Sequence, residues 1–127
     1  MIRTVADIMT TQLITVSPDT SIHEAIRLLL KHRVSGAPVV DANGTLVGML
    51  SKKDCLRVIY SARYHDDLGG PVRQYMSTPV ETFEASLDLV SAVHRFLNSH
   101  FRRFPVLRDG HLVGQVSRYD ILKSLAE

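Results

Sequence analysis

A chain of 127 residues, 45% hydrophobic and 22% charged, holds enough apolar material to bury a core, which excludes a disordered tail. Fifteen Lys and Arg against thirteen Asp and Glu leave a formal charge of +2, too small for a polycation that grips nucleic acid by charge alone. The single cysteine, Cys55, excludes an intramolecular disulfide and a cysteine metal cluster, and fits a reducing, cytoplasmic setting.

From the N-terminus, MIRTVADIMTTQ lacks the apolar core of a secretion signal, and no apolar run nears the ~18 residues of a membrane span. The chain is therefore expected to be neither secreted nor membrane-spanning. A short leading helix ends at Met9, a packing residue, and LITV reads as a strand. TSIHEAIRLLLKH places Ile22, Ala25, Ile26, Leu29 and Leu30 at helical spacing, and Ser21 with Glu24 has the form of a capping box. APVV and TLVGMLS flank DANG, whose Asn-Gly pair signals a hairpin. Lys52 to Ser61 closes this stretch as a second helix, with Leu56 and Ile59 expected in the core.

ARYHDDLGGP is polar and glycine-rich and reads as a linker. A second leading helix ends at Met76. VETF, LDLVSAVHRFLNSH, RFPVL, a turn at DG, HLVGQVS and a last helix to Leu125 then repeat the earlier order. Both stretches are β-α-β-β-α.

The likeness is one of residues as well as of elements. A shift of 67 superposes Met9 on Met76, Thr15 on Thr82, Ala25 on Ala92 and Pro38 on Pro105. Past the turn the shift becomes 66, superposing Gly48 on Gly114, Ser51 on Ser117 and Asp54 on Asp120. The lost residue falls in the turn strings, where a change of length costs least. Residues 1–61 are assigned to the first repeat, 62–71 to the linker and 72–127 to the second. A unit of roughly 55 residues buries too little to stand securely alone, so the repeats are expected to pack as one pseudo-two-fold module.

The strings LVGMLSKKD and LVGQVSRYD, each preceded by a Pro-Val strand and a turn glycine, resemble paired CBS domains, the Bateman module, from about Val5 to Leu125. The resemblance implies an α+β fold of two CBS repeats. It also implies a cytoplasmic sensor for AMP, ADP, ATP or S-adenosylmethionine, commonly a homodimer, that regulates an unidentified effector protein. It implies no enzyme and no required cofactor. The alternative is a ligand-free dimerisation or docking module; a nucleic-acid role through the basic FRRF string ranks lower.

In G-x-x-S-x-x-D the serine sits where a strand meets a helix, whose free N–H groups suit a phosphate. The aspartate can accept from two vicinal hydroxyls, and the resemblance gives Asp54 and Asp120 the ribose role. Ser-x-x-Asp is equally the pattern of a capping box. The resemblance implies two clefts. One joins Met49, Leu50, Ser51, Lys52, Lys53 and Asp54 with Val80, Thr82, Arg102, Arg103 and Pro105. The other joins Gln115, Val116, Ser117, Arg118, Tyr119 and Asp120 with Thr15, Val34, Ser35, Gly36, Ala37 and Pro38. Arg102 and Arg103, where the first repeat has Ser35 and Gly36, equip the first cleft better for a di- or triphosphate. The six histidines show no metal-ligand spacing, Cys55 matches Ile121 as a small core residue, and Ser51 and Ser117 have no identifiable base.

Overall fold

A computed structural model of the chain describes residues 3–65 and 69–126. The first half contains α1 (Val5–Ile8), α2 (Ile22–His32), β1 (Gly36–Val40), β2 (Leu46–Ser51) and α3 (Lys52–His65). A 3-10 turn at Val72–Gln74 leads to β3 (Phe83–Glu84), α4 (Leu89–Leu97), β4 (Arg103–Arg108), β5 (His111–Ser117) and α5 (Arg118–Ala126). The class is α+β, as expected. Among the described residues no helix is long and apolar enough to cross a membrane.

Strands β1 and β2 pair antiparallel, with Gly36 opposite Ser51 and Pro38 opposite Met49. Strands β4 and β5 repeat the register, with Arg103 opposite Ser117 and Pro105 opposite Gln115, and β3 adds in parallel to β4. Both hairpins shift register at the matching place, Val39/Val40 and Val106/Leu107. The second turn has positive φ at Asp109 and Gly110, the mirror-image turn geometry that matches strand twist.

Three local expectations are corrected. LITV is not a strand: only Val16 forms a bridge, to Val39, and Pro18, which has no N–H, follows at once and denies the ladder its next donor. Ser21 makes no side-chain cap; the Ile22 N–H donates instead to the Gly70 carbonyl at 2.9 Å, so that orphan donor is satisfied by backbone. The second helix does not stop at Ser61, because residues 62–65 include no Gly or Pro to break it; of the expected linker, residues 66–68 lie outside the described residues.

Leu56 and Ile59 are 66% and 72% exposed rather than core. Helix α3 instead turns Asp54 and Val58, one turn apart, inward.

The chain divides into two compact units that are not the two sequence repeats: Ile14–Val80 is one, and Met1–Leu13 with Glu81–Glu127 is the other. In the second of these, Val5 is buried with Phe83, Phe96 and Phe104, and its N–H donates to the Leu87 carbonyl at 2.8 Å. Phe83 stacks on Phe104 at 4.2 Å and meets Phe96 edge-on at 5.6 Å. In the Ile14–Val80 unit, Val72 and Tyr75 join Val16, Ile22, Leu29 and Leu50. The leading segment of each repeat thus completes the core built by the other repeat's sheet and helices.

Candidate functional site

Each Ser-x-x-Asp lies where a strand runs without a loop into a helix, Ser51 into α3 and Ser117 into α5. The Ser51 N–H and hydroxyl donate to Asp54 Oδ2, both at 2.9 Å, and the Asp54 N–H donates back to Ser51 Oγ at 3.1 Å. Ser117 and Asp120 form the same reciprocal box at 2.8, 3.0 and 3.2 Å. The capping role is therefore realised in both units. It uses Oδ2 and leaves Oδ1 for other donors.

A leading segment reaches each box. Ser77 is strapped to Met49 by two backbone bonds, of 3.1 and 2.8 Å, and its hydroxyl donates to Asp54 Oδ1 at 3.1 Å. Thr10 is strapped to Gln115 in the same way, at 2.8 and 2.9 Å, and its hydroxyl donates to Asp120 Oδ1 at 3.3 Å. Arg57 adds an ion pair to Asp54 at 3.4 Å. Ser77, Thr10 and Arg57 were not singled out from the sequence. Thr10 and Ser77 are nonetheless 67 apart, each just after a matched methionine, and that hydroxyl pair was there to be seen.

The remaining residues are placed within their own unit. In Ile14–Val80, the N–H of Lys52 donates to the Ser35 carbonyl at 2.9 Å, so Val34, Ser35, Gly36, Ala37 and Pro38 run beside Met49, Leu50 and Ser51. Ala37, Pro38 and Leu50 are buried, Ser35, Lys52 and Lys53 exposed. Thr15 is exposed next to Val16, whose N–H donates to the Pro38 carbonyl, and Val80 follows Ser77.

In the other unit, Arg118 N–H donates to the Arg102 carbonyl at 3.2 Å, the counterpart of the Lys52 bond. Arg102 is exposed and Arg103 half-buried, and neither has an ion pair among the described residues. Pro105 and Val116 are buried; Arg118 and Tyr119 are exposed. Thr82 offers its carbonyl to Arg95 at 2.8 Å, and that guanidinium lies over the rings of Phe83 and Phe104.

Burial first, and then the neighbouring Asp54 carboxylate, push the Cys55 thiol up, which suits a packing residue better than a nucleophile. Among the described residues no cluster of His, Cys, Asp and Glu is arranged to hold a metal.

Comparison with known proteins matches the CBS domain description to residues 5–61 and 72–127. The CBS domain-containing protein YhcV of Bacillus subtilis is 37% identical over 118 residues, covering 92% of this chain and 81% of that protein. The crystal structure of CBSX2 in complex with AMP aligns with a TM-score of 0.85 and 32% identity, over 97% of this chain and 96% of that one. The CBS domain pair of MJ0100, solved with methylthioadenosine and S-adenosylmethionine, aligns with a TM-score of 0.80 and 25% identity, over 99% and 98%. With the same motif built twice and matched over nearly its whole length, the chain belongs to the CBS domain family, as the tandem pair called a Bateman module.

Proposed function

We propose that this chain is a regulatory module that binds an adenosine-type ligand and transmits its occupancy to a separate partner protein, catalysing nothing itself. The observation that carries the reading is an aspartate in a Ser-x-x-Asp box opening a helix in each unit, in a chain 32% identical to CBSX2, a protein solved with AMP. The ligand class is AMP, ADP, ATP or S-adenosylmethionine, and a cytoplasmic location belongs to the same proposal. The family resemblance offers one aspartate for a ribose in each unit, Asp54 in Ile14–Val80 and Asp120 in the other. Ligand can bias the partner surface only by its difference in affinity between two arrangements of the module.

Melting curves with AMP, ADP, ATP and S-adenosylmethionine test this. A true ligand at about a hundredfold over its Kd stabilises by about 2.7 kcal/mol. No stabilisation by any of the four overturns the reading.

One observation favours a dimerisation role beside ligand binding. Leu30 and Leu97 are 63% and 80% exposed, and Leu56 and Leu122 66% and 65%, so matched apolar positions face outward in both repeats. Apolar surface duplicated in this way suits a homodimer contact. Sedimentation velocity at micromolar concentration should show a dimer that Leu56→Glu with Leu122→Glu converts to monomer. A wild-type monomer rejects it.

A further inference from the structure

The two aspartates that the repeat makes equivalent are not in equivalent states. Asp54 is 3% exposed. Its Oδ2 takes the Ser51 N–H and hydroxyl, and its Oδ1 takes the Ser77 hydroxyl at 3.1 Å and faces the Arg57 guanidinium at 3.4 Å. A carboxylate offers about four lone-pair positions, and here all are engaged with the negative charge already paired. Asp120 is half-buried. Its Oδ2 is used in the same way, but Oδ1 receives only the Thr10 hydroxyl, at 3.3 Å. Lys123, which matches Arg57, forms no ion pair with it.

A vicinal diol needs acceptor positions that point outward and are not already committed. At Asp120 it has to displace one long hydroxyl contact, on a threonine whose side chain turns about a single bond. At Asp54 it has to break a shorter hydroxyl bond and an ion pair to a carboxylate that is itself buried. Desolvating a charge and then removing its partner is among the costlier exchanges in a protein.

We propose that Ser77 and Arg57 lock Asp54 away from ligand, so that this chain takes one adenosine-type ligand, held through Asp120. The inference rests on the adenosine reading and departs from the expectation that the arginine-bearing group is the better equipped. Arg57 and Ser77 are then positioning residues that set stoichiometry: they touch no ligand, and they act by holding a carboxylate closed.

Isothermal titration calorimetry of the full chain with AMP, ADP, ATP and S-adenosylmethionine provides the test. Wild type should take one ligand per chain, and Asp120→Asn should weaken it by at least about tenfold, the loss of a hydrogen bond to a charged group. Arg57→Ala with Ser77→Ala should raise the stoichiometry toward two. Arg57→Gln alone, at a side chain 60% exposed, is the variant to use should the double substitution fail to melt cooperatively; with the Ser77 hydroxyl still in place, its second site should be present but weaker than the first. Two equal sites in wild type, full affinity in Asp120→Asn, or one site in folded lock variants would overturn the inference while leaving the adenosine reading intact. Binding of none of the four to wild type overturns the adenosine reading and the inference with it.

Discussion

The sulfur of Met76 occupies the space that a side chain at Gly48 would need, 2.6 Å from where a Cβ would stand, and Met9 does the same over Gly114 at 2.5 Å. Contacts below 3 Å do not occur for real Cβ atoms, so each glycine is the seat of a methionine brought by the other repeat's leading segment. The glycine of each Leu-Val-Gly string is thereby explained as a close approach rather than a turn.

Gly48→Ala is expected to destabilise by about 1–3 kcal/mol, the usual cost of overpacking. All the close atoms at Gly48 belong to the flexible Met76 side chain, so adding Met76→Ala should recover part of the loss. At Gly114 the Thr10 carbonyl also stands at 2.9 Å, and backbone does not give way as a thioether does, so Met9→Ala should not rescue Gly114→Ala. Urea unfolding of the two glycine variants, the two methionine variants and the two double variants measures both cycles.

Phe104→Ala is expected to cost about 3–5 kcal/mol, because it leaves a cavity among rings that otherwise pack at 4.2 and 5.0 Å. The first repeat carries Ala37 at that position, with the smaller Val16 and Leu29 for Phe83 and Phe96. An alanine is thus tolerated only where its own neighbours are built around it. Chemical denaturation of Phe104→Ala near the wild-type midpoint would contradict this.

Acid stability should depend on Asp88, the cap of α4. Hydrogen bonds from the Ser91 hydroxyl and N–H, at 2.7 and 3.0 Å, hold its carboxyl below the usual range. A carboxylate whose folded pKa is depressed contributes stability above its unfolded pKa of about 3.9 and loses that contribution as pH falls through the folded value. Asp88→Asn keeps an acceptor at the cap and removes the titration, so its melting temperature should fall less steeply than wild type below about pH 4. Parallel acid limbs would show that the cap does not titrate in this window.

Cys55 should alkylate slowly. Burial and the Asp54 charge keep the thiol protonated at neutral pH, and the thiolate is the reacting species. Iodoacetamide at pH 7.5 should react with the folded chain more slowly than with N-acetylcysteine, and urea should restore the ordinary rate. Because burial is the larger cause, Asp54→Asn should speed the folded reaction only in part.

Apart from the strand expected at LITV, the doubled order of elements, both hairpin turns and the two Ser-x-x-Asp boxes were legible in the residues, because each depends on chemistry within a few positions. An Asn-Gly pair makes its turn, and a serine three before an aspartate makes its box, whatever lies beyond. Helical periodicity was misleading where it counted apolar residues without knowing their partner: Leu56 and Ile59 fit a stripe, yet α3 buries Asp54 and Val58 in their place. Only the tertiary structure decided which core each leading segment completes, since Val5 and Val72 are locally interchangeable and a register that repeats at 67 satisfies either arrangement. It alone also separated two aspartates identical in motif, because Ser77 reaches Asp54 from twenty-three residues along the chain, a contact that no local pattern dictates.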